Sequence, residues 1–197
     1  IQTTDGGGRW YYGTPVNQTE QSDGDPEPAI AYAGNNKFLV YHGSETDTAN
    51  NGYNDGKCSL LTLSGDKVLT CTAMTGTLTN GYNGARRSND VLLDKDSGKV
   101  VVLFSNSDGT LRATTASISG TSVSFSSSQQ VTSSCKKDES YSCRLAYDPV
   151  SKKTVAAWID DDRKCRARVI DVSSNNTFSL GTEYTFNNTA IYSSSPK

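Results

Sequence analysis

Six carboxylates in two short clusters are the first candidates for chemistry in this sequence: Asp23, Asp25, Glu27, Asp160, Asp161 and Asp162. Paired carboxylates are the residues that glycoside hydrolysis uses, and carboxylate oxygens also bind calcium. Neither cluster matches an EF-hand loop, and sequence spacing alone does not bring the two clusters together. Solvated turns are therefore the favoured interpretation, with a catalytic or calcium-binding role as the alternative.

His42 is the single histidine and follows the apolar run K-F-L-V-Y. A nucleophilic triad needs a serine or cysteine and an oriented acid, and no nucleophile elbow flanks this residue. Zinc is disfavoured because no C-x-x-C pair is present. We therefore expect a structural histidine, no catalytic residue, no bound metal and no cofactor, with calcium at the carboxylates as the alternative.

A short duplication, N-G-Y-N, occurs within residues 50–57 and again within residues 79–86. A tyrosine ring between amides and charged groups offers the stacking surface and hydrogen-bonding groups that sugars use. The candidate ligand-binding residues are Tyr53, Asn54, Asp55, Tyr82, Asn83 and Arg86. The alternative is that Asn-Gly makes two similar turns, over which the tyrosines pack.

The five cysteines predict disulfides in an oxidising compartment. Cys58 and Cys71 lie on one face of a predicted hairpin, two residues out of opposition if S-G-D-K is a two-residue turn. A bulged turn would allow them to bond. Cys165 occupies the position equivalent to Cys58 and bonds Cys135 or Cys143, unless those two bond each other. One thiol is left over.

Three N-x-S/T sequons, at Asn17, Asn175 and Asn187, all fall in predicted loops or turns. A glycan there would leave a sheet ladder intact, so all three are predicted glycosylation sites. Together with the cysteines, the sequons indicate a secreted, extracellular protein.

Composition narrows the class of partner. The 197 residues include 34% hydrophobic residues, and the net charge is -2. The mean hydropathy is -0.55 and the isoelectric point about 5.4. No basic patch indicates nucleic acid, and no apolar run reaches the roughly 20 residues of a membrane span. The first residues lack the pattern of a signal peptide, so any such peptide has already been removed.

The elements that must position these residues are short strands. From Arg144 the chain can be divided into four alternating runs, R-L-A-Y-D, K-T-V-A-A-W-I, C-R-A-R-V-I-D-V and T-F-S-L-G-T-E-Y-T-F, separated by turn residues. Similar units start at Pro28 and Asn89, so first strands recur at spacings of about 50 to 60 residues. This rhythm predicts an all-β, β-propeller-like array of four-stranded antiparallel blades.

The ends of the chain predict an incomplete blade in a single all-β repeat domain over 1–197. W-Y-Y-G-T-P near the start echoes F-S-L-G-T-E of the third unit, so the chain enters halfway through a blade. The predicted boundaries are a half blade, three blades and the run-in to a further blade, at 1–27, 28–85, 86–132, 133–189 and 190–197. An unpaired edge recruits strands. We expect a longer parent chain or a neighbouring copy to complete the blade.

The repeats resemble those of secreted β-propellers, broadly the fucose-binding lectins and the sialidase-like repeat proteins. The resemblance implies an Asp-box for a sialidase, but S-N-S-D-G-T-L-R at 105–112 lacks its aromatic residue, and no arginine triad can be assigned. For a lectin it implies a repeated Arg, Glu and Trp set. Phe104 and Tyr41 are rough equivalents of Trp158, but the charged partners do not recur, so neither activity carries over.

The resulting hypothesis is a non-catalytic extracellular structural or adhesive repeat protein. It would be a subunit of a filament or surface appendage in which a neighbouring copy completes the open blade. The alternative is a carbohydrate-binding lectin with a glycan ligand, and a propeller glycoside hydrolase is third. Nucleic acid and a membrane span are not expected.

Overall fold

A computed structural model describes residues 28–45, 54–65, 67–74, 78, 89–106, 109–136 and 143–189. These residues form fourteen β-strands, and no helix occurs among them. In chain order the strands are β1 (Ala29–Gly34), β2 (Lys37–Glu45), β3 (Asn54–Ser64), β4 (Val68–Met74), β5 (Asn89–Asp94), β6 (Lys99–Ser105), β7 (Leu111–Ser119), β8 (Ser122–Phe125), β9 (Gln129–Thr132), β10 (Cys143–Asp148), β11 (Lys153–Ile159), β12 (Cys165–Val172), β13 (Phe178–Leu180) and β14 (Tyr184–Asn187).

The strands form three antiparallel sheets of consecutive strands. Sheet I has the order β1-β2-β3-β4; sheet II has β5-β6-β7-β8, with β9 also paired to β7; sheet III has β10-β11-β12-β13, with β14 also paired to β12. The predicted all-β, blade-like architecture is confirmed, and the three described sheets do not close into a ring. The predicted half blade at 1–27 and the run-in at 190–197 lie outside the described residues.

Sheet II is the middle layer of the stack. Its strand β6 reads K-V-V-V-L-F-S, a continuous apolar run whose side chains are buried on both faces. Val102 and Phe104 pack in one core with sheet I, whereas Val101 and Leu103 pack in a second core with sheet III. A strand covered on both sides loses the polar alternation of a half-exposed strand.

Tyr41 and Phe104 meet across the core between sheets I and II. Their rings stack with centroids 6.2 Å apart and an interplanar angle of 17°. Phe104 and Trp158 occupy equivalent positions, each opposite the first residue of its sheet. Tyr41 also pairs with the first residue of its sheet, Ala29. A register shift in β1, between Tyr32 and Gly34, lies between this pair and the turn. Tyr41 is four residues after Lys37, the first residue of β2, whereas Phe104 is five residues after Lys99, the first residue of β6. The two rings therefore lie on opposite faces of their own sheets and meet between them.

Two sheets share the same turn between their first and second strands. Asp94 and Asp148 each precede a four-residue turn, and the fourth turn residue has a positive φ, 69° at Gly98 and 57° at Lys152. In sheet I the turn is instead Asn35-Asn36, with φ of 50° and 58°. Asparagine tolerates this left-handed region better than most residues, which suits it to two-residue hairpins.

The fourth strand of sheets II and III is interrupted, which differs from the continuous runs predicted from the sequence. Residues 126–128 separate β8 from β9, and residues 181–183 separate β13 from β14. An arginine on the third strand contacts each break: Arg112 donates to Ser128, and Arg166 donates to Glu183. These breaks shift the register of the outer strand, so an alternating pattern alone could not locate them.

Two carboxylates of β5, a partly buried one and a buried one, join sheet II to sheet III. Asp90 Oδ2 accepts a hydrogen bond from the backbone N–H of Leu145 at 2.7 Å. Asp94 Oδ2 accepts one from Thr154 Oγ1 at 2.9 Å, between two buried side chains. Strand β5 therefore holds β10 and β11 at fixed positions through two acidic side chains.

Candidate functional site

The acidic loop at 160–162 does not form a cluster of free carboxylates. Asp160 is 2% exposed, and it accepts hydrogen bonds from Lys164 N at 2.8 Å and Arg166 Nε at 2.7 Å. Asp161 bonds Ser134 Oγ at 3.2 Å, and Asp162 lies 3.8 Å from Lys164 Nζ. The three carboxylates thus contact different donor atoms, although Asp160 and Asp162 both contact Lys164.

The other predicted cluster, Asp23, Asp25 and Glu27, lies outside the described residues. In the part of the chain that the structure describes, no group of three His, Cys, Asp or Glu side chains could hold a metal ion. Asp160 is committed to a cation and a backbone N–H, which is a structural use of a carboxylate.

Arg166 forms ion pairs with two carboxylates. Its guanidinium contacts Asp160 at 2.7 Å and Glu183 at 3.1 Å, and its own side chain is 27% exposed. The hydrogen bond with Asp160 is the main reason why the pKa of Arg166 lies above its ordinary value. This Arg166 cluster joins the loop after β11 to the break between β13 and β14.

An aromatic and arginine pair recurs, whereas no recurring charged partner of these aromatic residues was expected from the sequence. Register places Arg112 opposite Phe104 and Arg166 opposite Trp158, so sheets II and III carry the same pair at the same position. The signal was present as F-x7-R and W-x7-R. The acidic partner does not recur, because Arg112 bonds the neutral Ser128.

The candidate sugar-binding residues fall largely outside the described residues, which exclude Tyr53, Tyr82, Asn83 and Arg86. Asn54 and Asp55 are the first residues of β3, and their backbones pair with Glu45 and Ser44 of β2. The duplicated loops therefore stay a prediction.

His42 is buried, with 6% of its surface exposed, and its Nε2 shares a 2.8 Å hydrogen bond with Ser59 Oγ. Ser59 is itself fully buried on the neighbouring strand β3. The pair is a contact between β2 and β3 of sheet I, and the structural role predicted for this histidine stays a prediction.

The predicted proximity of Cys58 and Cys71 is not observed. Cys71 pairs with Leu61, and a register shift follows Leu60, so the two cysteines are three positions apart along β3. At about 3.3 Å per residue that is roughly 10 Å, beyond the 7 Å or so that a disulfide spans. No disulfide joins any of the five cysteines, all of which lie among the described residues.

Cys135 and Cys143 belong to the same core between sheets II and III, and both are fully buried. Lys136 N donates to Ile159 O at 2.9 Å, and Cys143 pairs with Trp158, the preceding residue of β11. Burial, and then the nearby Cys135 thiol, raise the pKa of Cys143 well above its ordinary value.

Cys165 pairs with Ile159, so it lies on the opposite face of sheet III from Cys143. Of the alternatives that the sequence left open, the placement therefore brings together Cys135 and Cys143.

Two of the three sequons are described. Asn175 is exposed in the turn between β12 and β13, where its Oδ1 accepts a hydrogen bond from Thr177 Oγ1 at 2.6 Å. Asn187 ends β14, and its Oδ1 accepts one from Thr189 N at 2.9 Å. Both lie by outer strands, away from the cores between sheets; Asn17 lies outside the described residues.

A comparison with protein-family profiles and with curated protein sequences finds no match to this chain. Among the described residues, none forms a helix of the length and hydropathy needed to cross a membrane. A function is therefore proposed from the architecture and from the contacts of the described residues.

Proposed function

We propose that this chain is a non-catalytic, extracellular structural or adhesive module that assembles with further copies into a filament or surface appendage. The observation that carries this proposal is the use of its buried carboxylates. Asp94 and Asp160 are the buried acidic residues of the described chain, and both accept hydrogen bonds that hold turns, loops or sheets together.

A catalytic acid must exchange its proton with a substrate, so it must reach one. Asp160 instead has an arginine and a backbone N–H as partners, and Asp94 faces Ser97 and Thr154. Side chains held in this way favour a rigid scaffold over hydrolysis.

The secreted location is supported by the exposed sequon at Asn175. Expression in a eukaryotic secretory host should give a protein whose mass falls after endoglycosidase treatment. Asn175→Gln should remove one glycan, and Thr177→Ala should do the same because it destroys the same sequon. The matched control is Asn188→Gln, which changes an amide but keeps the sequon of Asn187. Equal masses before and after the enzyme would contradict the proposal.

Assembly is tested on protein from its native source by light scattering and negative-stain electron microscopy. We expect particles of many protomers that extend in one direction. A discrete monomer at every concentration would overturn the assembly proposal. Aryl glycosides should not be turned over; activity that Asp160→Asn abolishes, with the circular dichroism unchanged, would instead establish a hydrolase.

A carbohydrate-binding lectin is the second candidate, and the Arg166–Glu183 pair favours it. Both side chains are about one-third exposed and lie 3.1 Å apart, so they present donors and an acceptor together. Trp158, by contrast, is 1% exposed and cannot stack on a sugar. Binding on a glycan array that Glu183→Gln removes would decide for the lectin.

A further inference from the structure

The outer face of sheet III is apolar along its centre. Strand pairing puts five small or aliphatic residues on this face, Ala146, Val155, Ala157, Ala167 and Val169, with Arg144 beside them opposite Ala157. The opposite face carries Ala156 and Trp158 into the core with sheet II. Val169 is 38% exposed and Ala146 is exposed, so the described chain leaves this face open to solvent.

Sheet II shows what covers such a face. Counted from the shared turn, Val101 and Leu103 occupy the positions of Val155 and Ala157. In sheet II these residues are fully buried, because sheet III packs on them. The outer face of sheet III therefore has apolar residues at the same positions as the face of sheet II on which sheet III packs.

The other end of the stack is open along strand β1, whereas Ser59 and His42, which strand register puts on the same face, are buried. On sheet I, Ile30 pairs with Val40 and Tyr32 pairs with Phe38, with the last two rings 5.5 Å apart. Ile30 is 52% exposed and Tyr32 is 50% exposed. The opposite face of the same strands carries Leu39 into the core with sheet II. An aromatic and aliphatic face of this kind marks an interaction surface.

We propose that the outer face of sheet III binds the outer face of sheet I of a second copy, head to tail. This inference rests on the proposed function of an assembling module and names the surfaces that assemble. The second copy is the occupant because the contact continues the stacking interface already present between sheets II and III. The two end faces differ, so the contact is heterologous and, where it does not close a ring, extends into a filament.

The test uses one charge on each face. Val155→Glu blocks the outer face of sheet III, and Ile30→Glu blocks the outer face of sheet I. Each variant alone should stay at the protomer mass of 21.1 kDa plus glycans, because one of the two surfaces is lost. Mixed in equal amounts, they should form a dimer and nothing larger, since each supplies the intact face that the other lacks.

Val150→Glu is the matched control. Val150 is 90% exposed in the turn after β10, and its charge should leave assembly as in the unchanged protein. Circular dichroism and thermal unfolding of each variant show that it folds, and light scattering after size exclusion gives the masses.

The outcomes separate this inference from the proposed function. If the unchanged protein assembles and the two face variants assemble equally well, the inference fails while the proposed function stands. The inference also fails if the mixture of folded variants stays monomeric or if only one variant blocks assembly. If the unchanged protein is a monomer at every concentration, as expected of a longer chain that covers its own faces, both fail.

Discussion

Thr154 Oγ1 donates a 2.9 Å hydrogen bond to Asp94 Oδ2 across the interface between sheets II and III, 60 positions away in the chain. The other oxygen of Asp94 accepts hydrogen bonds from Ser97 N at 2.9 Å and Ser97 Oγ at 2.8 Å. One buried carboxylate therefore closes a turn and positions the next sheet. Unpairing a buried donor costs more than the bond itself contributes, so this contact is a sensitive point of the fold.

Replacing Asp94 should destabilise the protein more than replacing its counterpart in sheet III. Asp94→Ala removes the turn bonds and leaves Thr154 unpaired, which should lower the free energy of unfolding by about 2–3 kcal/mol. Asp148→Ala is the matched control, because Asp148 makes the same bonds to Ser151 in its own exposed turn. The free energy of unfolding should fall clearly less in Asp148→Ala than in Asp94→Ala. Urea denaturation measures both, and equal losses would contradict the inter-sheet role.

Arg166 should matter more than Arg112, although the two are equivalent in register. Arg166→Ala leaves the buried carboxylate of Asp160 without its cation, and we expect a loss of about 2–3 kcal/mol. Arg112→Ala removes bonds to the neutral Ser128 and should cost about 1 kcal/mol. Chemical denaturation of both variants gives the comparison; a larger loss for Arg112→Ala would refute the argument.

Asp90 predicts a specific pH dependence of stability. Burial raises the pKa of its carboxyl above the ordinary 3.8, and the N–H groups of Leu145 and Val91 and the charge of Arg144 oppose this only in part. A raised folded-state pKa favours the protonated form, so its contribution is fully present below about pH 3.8 and is lost as the pH rises through the folded-state value.

The variant Asp90→Asn isolates this contribution, because an amide oxygen can still accept the Leu145 hydrogen bond without carrying a charge. Relative to the unchanged protein, the variant should gain stability as the pH rises from 3 to 7. Denaturation midpoints at each pH measure the difference, and a flat or falling difference would contradict the predicted sign.

Cys135 and Cys143 should be the pair that oxidises. With oxidised glutathione as the acceptor of two electrons and two protons, we expect one disulfide that links the tryptic peptides 113–136 and 138–144. Mass spectrometry after alkylation in denaturant identifies the link. In Cys135→Ser the peptide 138–144 should carry no partner peptide from this chain; a link from Cys143 to Cys165, or one between Cys58 and Cys71, would show that the placement is wrong.

The sequence predicted the local elements well wherever the signal was local. K-T-V-A-A-W-I and C-R-A-R-V-I-D-V correspond to β11 and β12, because alternation and turn residues bound each of them. The predicted register of Cys58 and Cys71 was wrong because it depends on one extra residue in the outer strand, which residue propensities do not reveal.

The sequence by itself determined that this chain is all-β, with sheets of consecutive antiparallel strands, because a period of two and short turns are properties of neighbouring residues. Only the tertiary structure decided which face of each strand is covered and which carboxylate has a partner. Val101 and Val155 have the same residue type at the same register, yet one is buried and the other lies on an open face. That difference depends on whether another sheet packs there, which is a property of the stack and not of the strand.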